Sequence, residues 1–179
     1  MKIIGVACGP IPGQSAGLVK EVLRGAEEAG HQTVYITLPN GKFTGCMGCH
    51  ACKKNENGDC VLKDALSPYF DELPDADAVV FGAGNYMGWP QGQAWDFVHR
   101  HFRLSKGMRA DSECYIPAGK KLIPIFAQGV PVLEMYKERY EQFLAPFKGW
   151  GFVTEEILVT CGPKAEEMKQ KAYEIGKNL

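Results

Sequence analysis

The sequence predicts an α/β protein in which helices cover both faces of a doubly wound sheet of five parallel strands. Short apolar runs rich in β-branched residues alternate along the chain with segments of helical periodicity. One of these runs, residues 76–83, is almost entirely apolar, which is typical of a strand buried on both faces of a parallel sheet. No internal repeat or linker divides the 179 residues. We therefore expect a single domain over residues 1–179.

The elements follow in chain order. Residues 2–8 (KIIGVAC) predict the first strand, because the run is short and apolar and is followed by glycine and proline. Residues 15–30 predict a helix, since apolar residues recur on one face and a glycine stands at its end. Residues 31–38 alternate as a strand does. Further strands are predicted at 76–83, 121–127 and 155–161, and further helices at 91–104, 132–148 and 165–177.

Composition and charge restrict the function classes. The formal net charge is −1 and no run of basic residues occurs, which argues against nucleic acid and anionic membranes as partners. The first apolar run is too short for a signal peptide, and no stretch approaches the ~20 apolar residues of a membrane span. We expect a cytoplasmic protein. In a reducing compartment, its seven cysteines favour metal or redox chemistry over a disulfide scaffold.

The loops that follow the predicted strands fall on one edge of the sheet. Sheets of this class bind ligands at the carboxyl ends of their strands, beside the point where strand order reverses. Three loops leave those ends, at residues 9–15, 84–91 and 128–131. A cysteine-rich segment at 46–60 follows the second strand at the same edge. We therefore expect the functional chemistry to lie on one rim of the molecule.

The first loop, CGPIPGQSAG, has the character of a phosphate-binding turn. A glycine- and proline-rich turn that enters a helix presents unpaired backbone N–H groups to an anion. The loop has no basic side chain, and it matches neither G-x-G-x-x-G nor a Walker sequence. The alternative is an ordinary tight turn in which Ser15 caps the helix. The candidate binding residues are Gly9, Ile11, Gly13, Gln14, Ser15 and Ala16.

The second loop combines glycines with aromatic residues between positions 82 and 100. Glycine allows the backbone to approach a ligand closely, and aromatic side chains supply flat faces. This composition suits a planar tricyclic ring whose polar edge is hydrogen-bonded by the backbone. We interpret Trp95 and Phe97 as the core face of a helix. The candidate ligand-binding residues are Asn85, Tyr86, Met87 and Gly88.

The segment CMGCHACKKNENGDC places Cys46, Cys49, Cys52 and Cys60 within fifteen residues, at x2, x2 and x7 spacing. Three thiolates at overlapping x2 intervals can surround one [4Fe–4S] cluster, and a fourth can bind the remaining iron from a flexible turn. Zinc more often uses two separated C-x2-C pairs. We favour the cluster, while zinc, a disulfide or other redox thiols, and a segment without a ligand stay open. We expect His50 to be an exposed loop residue.

These motifs resemble the NAD(P)H-dependent FMN reductases of flavodoxin-like fold and, within them, the iron–sulfur flavoproteins. The family's G-S-P-R-x-x-G-N-T loop corresponds to CGPIPGQS at 8–15, in which Gly9 and Ile11 replace the usual serine and arginine. Its S-P-x-Y-x-G segment corresponds to residues 83–88, and its following S-G-Q helix to a stretch ending at Arg100. Its third flavin loop resembles the tripeptide Ala127, Gln128 and Gly129. The C-x2-C-x2-C pattern followed by a fourth cysteine resembles the iron–sulfur flavoproteins.

The resemblance implies a flavodoxin-like fold and an FMN-dependent oxidoreductase whose [4Fe–4S] cluster exchanges electrons with the flavin. It implies that Gln128 and Gly129 contact FMN and that the four cysteines bind the cluster. NAD(P)H or ferredoxin would be the electron donor, and a homo-oligomer, dimer or tetramer, would bring flavin and cluster together. The alternatives are an NAD(P)H-dependent FMN or quinone reductase without a cluster, and a non-catalytic flavodoxin-like carrier. No catalytic side chain is expected, because the flavin is the reactive centre.

Four further residues receive an interpretation from position alone. We expect His99 and His101 to lie at the surface or at a subunit interface, because they flank a charged residue on the helix predicted at 91–104. Cys8 and Cys161 end apolar strands and are expected to be inert core thiols. The segment 105–120, which contains the remaining cysteine, has no assigned role.

Overall fold

The computed structural model describes residues 1–109 and 112–179; two residues of the segment 105–120 therefore lie outside the described part. The strands are β1 (Lys2–Cys8), β2 (Gln32–Leu38), β3 (Ala78–Tyr86), β4 (Trp89–Pro90), β5 (Lys121–Gln128), β6 (Val153–Thr154) and β7 (Leu158–Cys161). The helices are α1 (Gln14–Glu28), α2 (Ser67–Glu72), α3 (Gly92–Arg100), α4 (Lys137–Gly149) and α5 (Ala165–Lys177).

The sheet confirms the parallel α/β class. Its order is β2-β1-β3-β5, and both β6 and β7 pair with β5 in the parallel direction. Two strands differ from the expectation of five. The predicted strand 155–161 is shorter than expected, since only β7 lies within it; the exposed Glu155 and Glu156 separate β7 from β6, which the sequence does not predict. The short strand β4 pairs with β3 in the antiparallel direction as part of a hairpin.

Helices cover both faces of the sheet, as predicted. One face packs against α2, α3 and α4, and this side of the core contains many aromatic side chains. The other is aliphatic and packs against α1 and α5. These last two helices approach each other closely: a β-carbon at Gly176 would lie 1.9 Å from the carbonyl oxygen of Val22. Only glycine permits this approach, so the α1–α5 contact depends on its small size.

The region between β2 and β3 contains a short helix that the sequence does not predict. Helix α2 is only six residues long and has a proline in its first turn. Leu66, Tyr69 and Leu73 are fully buried and pack this segment against the core. A helix of this length is shorter than the window over which helical periodicity is recognised, which explains why it was missed.

Two predicted helices are shorter than expected. The helix predicted at 91–104 ends as α-helix at Arg100 and continues as a 3₁₀ turn over His101–Leu104. The helix predicted at 132–148 begins with a 3₁₀ turn over Leu133–Tyr136 before α4. Tightening of this kind is common at helix ends. Both helices otherwise occupy the predicted positions.

The prediction that His101 lies at the surface or at a subunit interface is wrong, because its side chain is fully buried within the chain, whereas His99 is exposed. The His101 ring is fully buried among aromatic side chains. Its Nδ1–H donates to the Phe97 carbonyl at 2.8 Å, so Nε2 accepts from the Tyr69 hydroxyl at 2.8 Å. Burial lowers the pKa of His101 to about 3, which keeps the ring neutral. It is a core residue.

The two strand-terminal thiols are buried, as expected. Burial raises the pKa of Cys8 to about 12, against a smaller opposite effect of its hydrogen bond with Gln91. A thiol with so high a pKa is a poor nucleophile at neutral pH. Within residues 1–109 and 112–179, no helix is both long and apolar enough to cross a membrane.

Candidate functional site

The three predicted loops meet at one cavity of about 350 Å³ at the carboxyl edge of the sheet. The first loop follows β1, the second ends β3, and the third follows β5, which is the neighbour of β3. Parallel strands end at the same edge, so three segments far apart in sequence come together. The cavity is lined by Pro10, Gly13, Gln14, Ser15, Gly84, Asn85, Tyr86, Ala127, Gln128 and Gly129.

Most of the predicted binding residues lie at this cavity, and some lie beside it. Those on its wall are Gly13, Gln14, Ser15, Asn85, Tyr86, Gln128 and Gly129. Those outside the wall are Gly9, Ile11, Ala16, Met87 and Gly88. The wall also includes Pro10, Gly84 and Ala127, which were not among the candidates. Each addition is a sequence neighbour of a predicted residue, so the cavity is formed by the three predicted loops, and the assignment of individual residues to a ligand stays a prediction.

Helix α1 begins at the cavity. Gly13 is its N-cap in an extended conformation, and a β-carbon at this position would lie 2.5 Å from the Pro10 carbonyl oxygen. The backbone N–H groups of Gln14, Ser15 and Ala16 lie in the first helical turn, where no intrahelical partner exists for them. The alternative reading in which Ser15 caps the helix is wrong, because the helix starts one residue earlier and has no side-chain cap.

The second loop is a tight hairpin between β3 and β4. Met87 and Gly88 form its two-residue turn, and both have positive φ, 54° and 83°. This combination matches the twist of antiparallel strands. The Gly88 N–H donates to Asn85 Oδ1 at 3.1 Å, which closes the turn. Tyr86 is 58% exposed and Met87 is 98% exposed, so the hairpin presents an aromatic ring at the cavity and a free tip.

A buried hydrogen-bond chain joins the second and third loops. Asn85 Nδ2 donates to the Tyr140 hydroxyl at 2.9 Å, and this hydroxyl donates to Gln128 Oε1 at 2.8 Å. Gln128 Nε2 in turn donates to the carbonyls of Val130 and Val132, each at 2.9 Å. The Gln128 side chain is therefore committed to shaping its own loop. Only its backbone is available to a ligand.

Gln91, which sequence reasoning missed, joins the first and second loops. Its Nε2 donates to the Cys8 carbonyl at 2.7 Å, and its backbone N–H donates to the Gly84 carbonyl at 3.0 Å. Gly9, with φ of 129°, packs against this amide so closely that a β-carbon would lie 2.4 Å from Nε2. A buried amide that bridges two strand ends fixes both loops. The contacts span 83 residues, so no local signal marks them.

The cysteine-rich segment forms a second cavity, of about 20 Å³. All four predicted cysteines line it, together with His50, Arg100 and Arg103. Cys46 and Cys49 are exposed, Cys60 is half-buried and Cys52 is buried, and all are free thiols. His50 is exposed, as expected. Across residues 1–109 and 112–179, no three His, Cys, Asp or Glu side chains are grouped closely enough to hold a metal ion.

Cationic side chains attach this segment to the end of α3. Arg100 donates to the backbone carbonyl of Thr44 at 3.0 Å and to Asp64 at 2.6 Å. Arg103 donates to the Gly58 carbonyl at 3.0 Å and to an Asp59 carboxylate oxygen at 2.7 Å. These hydrogen bonds hold the chain before the first cysteine, between the third and fourth cysteines, and after the fourth. The residues at the end of α3 therefore fix the position of the cysteine-rich segment.

Lys53 adds a third cation from within the segment. Its ammonium donates to the carbonyls of Phe102 and Ser105 and lies 4.0 Å from the centre of the Phe102 ring. Burial lowers the pKa of Lys53. Burial also raises the pKa of Cys52, and the positive charge of Lys53 acts on Cys52 in the opposite direction. The effect of burial is the larger, so the pKa of Cys52 stays raised, and Lys53 only reduces the cost of forming a thiolate there.

The donor chemistry of this segment fits an anionic iron–sulfur cluster. Four thiol groups surround one cavity, which matches the ligand number of a [4Fe–4S] cluster. Two guanidinium groups face the same cavity, and the buried Nε of Arg100 has no hydrogen-bond partner in the described structure. The free volume is small and the side chains are not grouped as metal ligands, so the fit lies in the kind and number of the donors.

Comparison with known proteins gives one set of sequence relatives. No protein-family model matches the sequence. An iron–sulfur flavoprotein of Methanocaldococcus jannaschii is 33% identical over 110 residues, which are 61% of this chain and 56% of the relative. The chain spans about half the length of the curated relatives it matches. The matched relatives are named iron–sulfur flavoproteins.

Solved structures give the fold. An NAD(P)H:quinone oxidoreductase from Methanothermobacter marburgensis aligns with a TM-score of 0.69 at 13% identity, over 98% of this chain and 96% of the other. A flavodoxin from Streptococcus pneumonia aligns with a TM-score of 0.57 at 12% identity, over 99% of each chain. The resemblance stated from the motifs is thereby confirmed: the chain is similar to iron–sulfur flavoproteins in sequence and has a flavodoxin-like fold.

Proposed function

We propose that the chain is an FMN-dependent oxidoreductase with a [4Fe–4S] cluster held beside the flavin site. One observation carries the proposal: three separate loops form a single cavity at the N-terminus of α1, and a four-cysteine cavity lies at the end of helix α3, which follows the second of these loops in the chain. Neither cavity alone would indicate this pairing. FMN supplies one- or two-electron chemistry when bound, and a cluster supplies one-electron transfer.

The phosphate of FMN would lie at the start of α1. The free N–H groups of the first turn and the positive end of the helix dipole attract an anion without a basic side chain. A side chain at Gly13 would clash with the Pro10 carbonyl oxygen. Glycine at this position therefore allows the loop to turn tightly into the helix. Gln14 and Ser15 complete this part of the wall.

The ring of FMN would lie between the second and third loops. Tyr86 offers an exposed aromatic face at the cavity wall. Gly84 and Gly129 lie on the same wall, where the absence of side chains allows backbone groups to reach the polar edge of the ring. The hydrogen bonds that link Asn85, Tyr140 and Gln128 hold the second and third loops at a fixed separation.

The cluster would be held by Cys46, Cys49, Cys52 and Cys60, with the nearby cations offsetting its negative charge. Helix α3 has nine residues and so spans ~14 Å. Gln91, which joins the first and second loops, precedes it, and Arg100 ends it at the cysteine cavity. A rigid element of this length sets the separation of the two sites within one chain.

Electron donors and assembly belong to the same proposal. NAD(P)H or a ferredoxin would supply electrons, and the chain would act as a homo-oligomer, a dimer or a tetramer. We also propose a single domain over 1–179 and a cytoplasmic location. Steady-state turnover with NAD(P)H and an added acceptor separates a reductase from a flavodoxin-like carrier, because a carrier would be reduced without turning over.

The flavin site is tested by ligand selectivity. We expect the protein to bind FMN more tightly than riboflavin and to quench the flavin fluorescence, because only FMN has a phosphate for the start of α1. FAD should bind less tightly than FMN, because an adenylate would have to extend from this turn. Titration with all three flavins measures these differences. Equal affinities for FMN and riboflavin would contradict the assignment of the first loop.

A second candidate function is an NAD(P)H-dependent FMN or quinone reductase without a cluster. The small volume of the cysteine cavity, about 20 Å³, favours this candidate, because the loop as observed has no room for a cluster. Iron and sulfide analysis of anaerobically prepared protein distinguishes the two.

A further inference from the structure

Arg100 is buried to an unusual degree for a charged residue. Its side chain is 1% exposed. Its two terminal nitrogens are occupied: Nη1 donates to Thr44 O and Asp64 Oδ2, and Nη2 donates to Leu62 O at 3.3 Å. These acceptors lie on both sides of the cysteines in the chain. Arg100 therefore closes the base of the cysteine segment.

The third nitrogen of the same guanidinium has no partner. Arg100 Nε is buried and makes no hydrogen bond with any described residue. Leaving a buried N–H donor unpaired is unfavourable, and an N–H on a charged group is a strong donor. Arg100 also lines the cysteine cavity. The unpaired donor thus belongs to a residue that faces the four thiols.

We propose that Arg100 is a positioning residue for the iron–sulfur cluster, and that its Nε–H donates to a sulfur atom of the bound cluster or of its thiolate ligands. The inference rests on the proposed function, since it requires that a cluster binds. Two tasks are combined in one side chain: the terminal nitrogens hold the two arms of the loop, and Nε stabilises negative charge on sulfur. Hydrogen bonds to sulfur raise the reduction potential of a cluster.

Arg103 provides a contrast on the same surface. It lines the same cavity and also holds the loop. Its Nε is already paired with the Gly58 carbonyl at 3.0 Å, and its side chain is 14% exposed. Arg103 can therefore anchor the loop but has no unpaired Nε–H to offer. A comparison of Arg100 with Arg103 separates donation to sulfur from loop attachment.

The test uses the full chain, purified and reconstituted anaerobically with iron and sulfide, as wild type, Arg100→Lys and Arg103→Lys. Lysine preserves the positive charge but removes the Nε–H of the guanidinium and its fork. We expect Arg100→Lys to shift the reduction potential of the cluster to a more negative value and to release iron to a chelator about 10-fold faster. Arg103→Lys should leave the potential unchanged.

The other outcomes are equally decisive. An unchanged potential in Arg100→Lys would overturn the inference, even if iron were released faster, because it would leave only loop attachment. If Arg100→Lys binds no cluster, loop attachment accounts for the loss when the circular dichroism spectrum and FMN binding are kept, and a general folding role accounts for it when they are lost; either result would overturn the inference. Absence of iron and sulfide from reconstituted wild-type protein would instead refute the proposed function.

Discussion

Replacing Tyr140 with Phe removes the hydroxyl group that joins two walls of the flavin cavity. This hydroxyl accepts from Asn85 and donates to Gln128, at 2.9 and 2.8 Å, and Tyr140 is fully buried. The ring itself should stay in place, because it stacks on Phe126 with centroids 4.1 Å apart. The substitution therefore changes the hydrogen bonding of the wall and leaves its apolar packing intact.

The magnitude follows from what is left unpaired. Gln128 Oε1 loses the hydrogen bond from Tyr140 in a residue that is only 4% exposed. A buried acceptor without a partner costs ~1–3 kcal/mol. Asn85 is only half-buried and can turn to water, so its loss is smaller. We expect the free energy of unfolding to fall by ~2 kcal/mol. The affinity for FMN should fall by ~1 kcal/mol, or about fivefold, because both loops become less fixed.

The assay compares Tyr140→Phe with Tyr69→Phe as a matched control. Tyr69 is also fully buried, and its hydroxyl also has a buried partner, His101 at 2.8 Å. Tyr69 does not line the flavin cavity. Both variants should lose stability in urea denaturation, while only Tyr140→Phe should lose FMN affinity in fluorescence titration. Equal FMN affinities in both variants would refute the role given to the hydrogen-bond chain.

Three other substitutions test the fold around the sites. Gly88→Val should weaken FMN binding by over ~1 kcal/mol. Valine rarely adopts the φ of 83° found at this position, and its β-carbon would lie 2.0 Å from Arg139 Nη1. Normal FMN binding in this variant would mean that the flavin lies elsewhere. As the pH falls from about 7.5 to 5, the free energy of unfolding of the wild type should decrease by ~2 kcal/mol because of His101. In the unfolded state its imidazole binds a proton below the ordinary pKa of 6.5, whereas in the folded state, with a pKa of about 3, it stays neutral. In His101→Gln this loss, followed by denaturation at each pH, should disappear, and persistence of the full loss would assign it to other groups. Gly176→Ala should lower the free energy of unfolding by ~1–3 kcal/mol, because its β-carbon would meet a carbonyl oxygen of α1. Gly17→Ala should instead stabilise the protein, because no atom lies within 4 Å of the new carbon. Thermal melts that rank the two variants in the reverse order would contradict the close packing of the helices.

The elements and the loops could be predicted because their signals are local. Apolar periodicity located β1, α1 and β3 to within a few residues, and the rule that parallel strands end at one edge brought the loops at 9–15, 84–91 and 128–131 together. The spacing of the cysteines likewise predicted that they share a site, and they line one cavity.

The residues that were missed act through contacts that are distant in sequence. Gln91 reaches Cys8 across 83 positions, and Arg100 reaches Thr44 across 56. Neither side chain differs locally from an ordinary surface or core residue. The prediction for His101 fails for the same reason: the aromatic side chains that surround its ring belong to several elements that are far apart in sequence. Partners of this kind are determined by tertiary packing, which a single sequence does not display.

The metal and flavin content of anaerobically prepared protein tests the central claim most directly. We predict near-stoichiometric iron and acid-labile sulfide together with FMN in the wild type. Cys49→Ala should lose iron and sulfide and retain FMN, because the flavin cavity is formed by other loops. Zinc without iron or sulfide in the wild type would contradict the claim and favour the cluster-free reductase. Loss of FMN together with iron in Cys49→Ala would contradict the separation of the two sites.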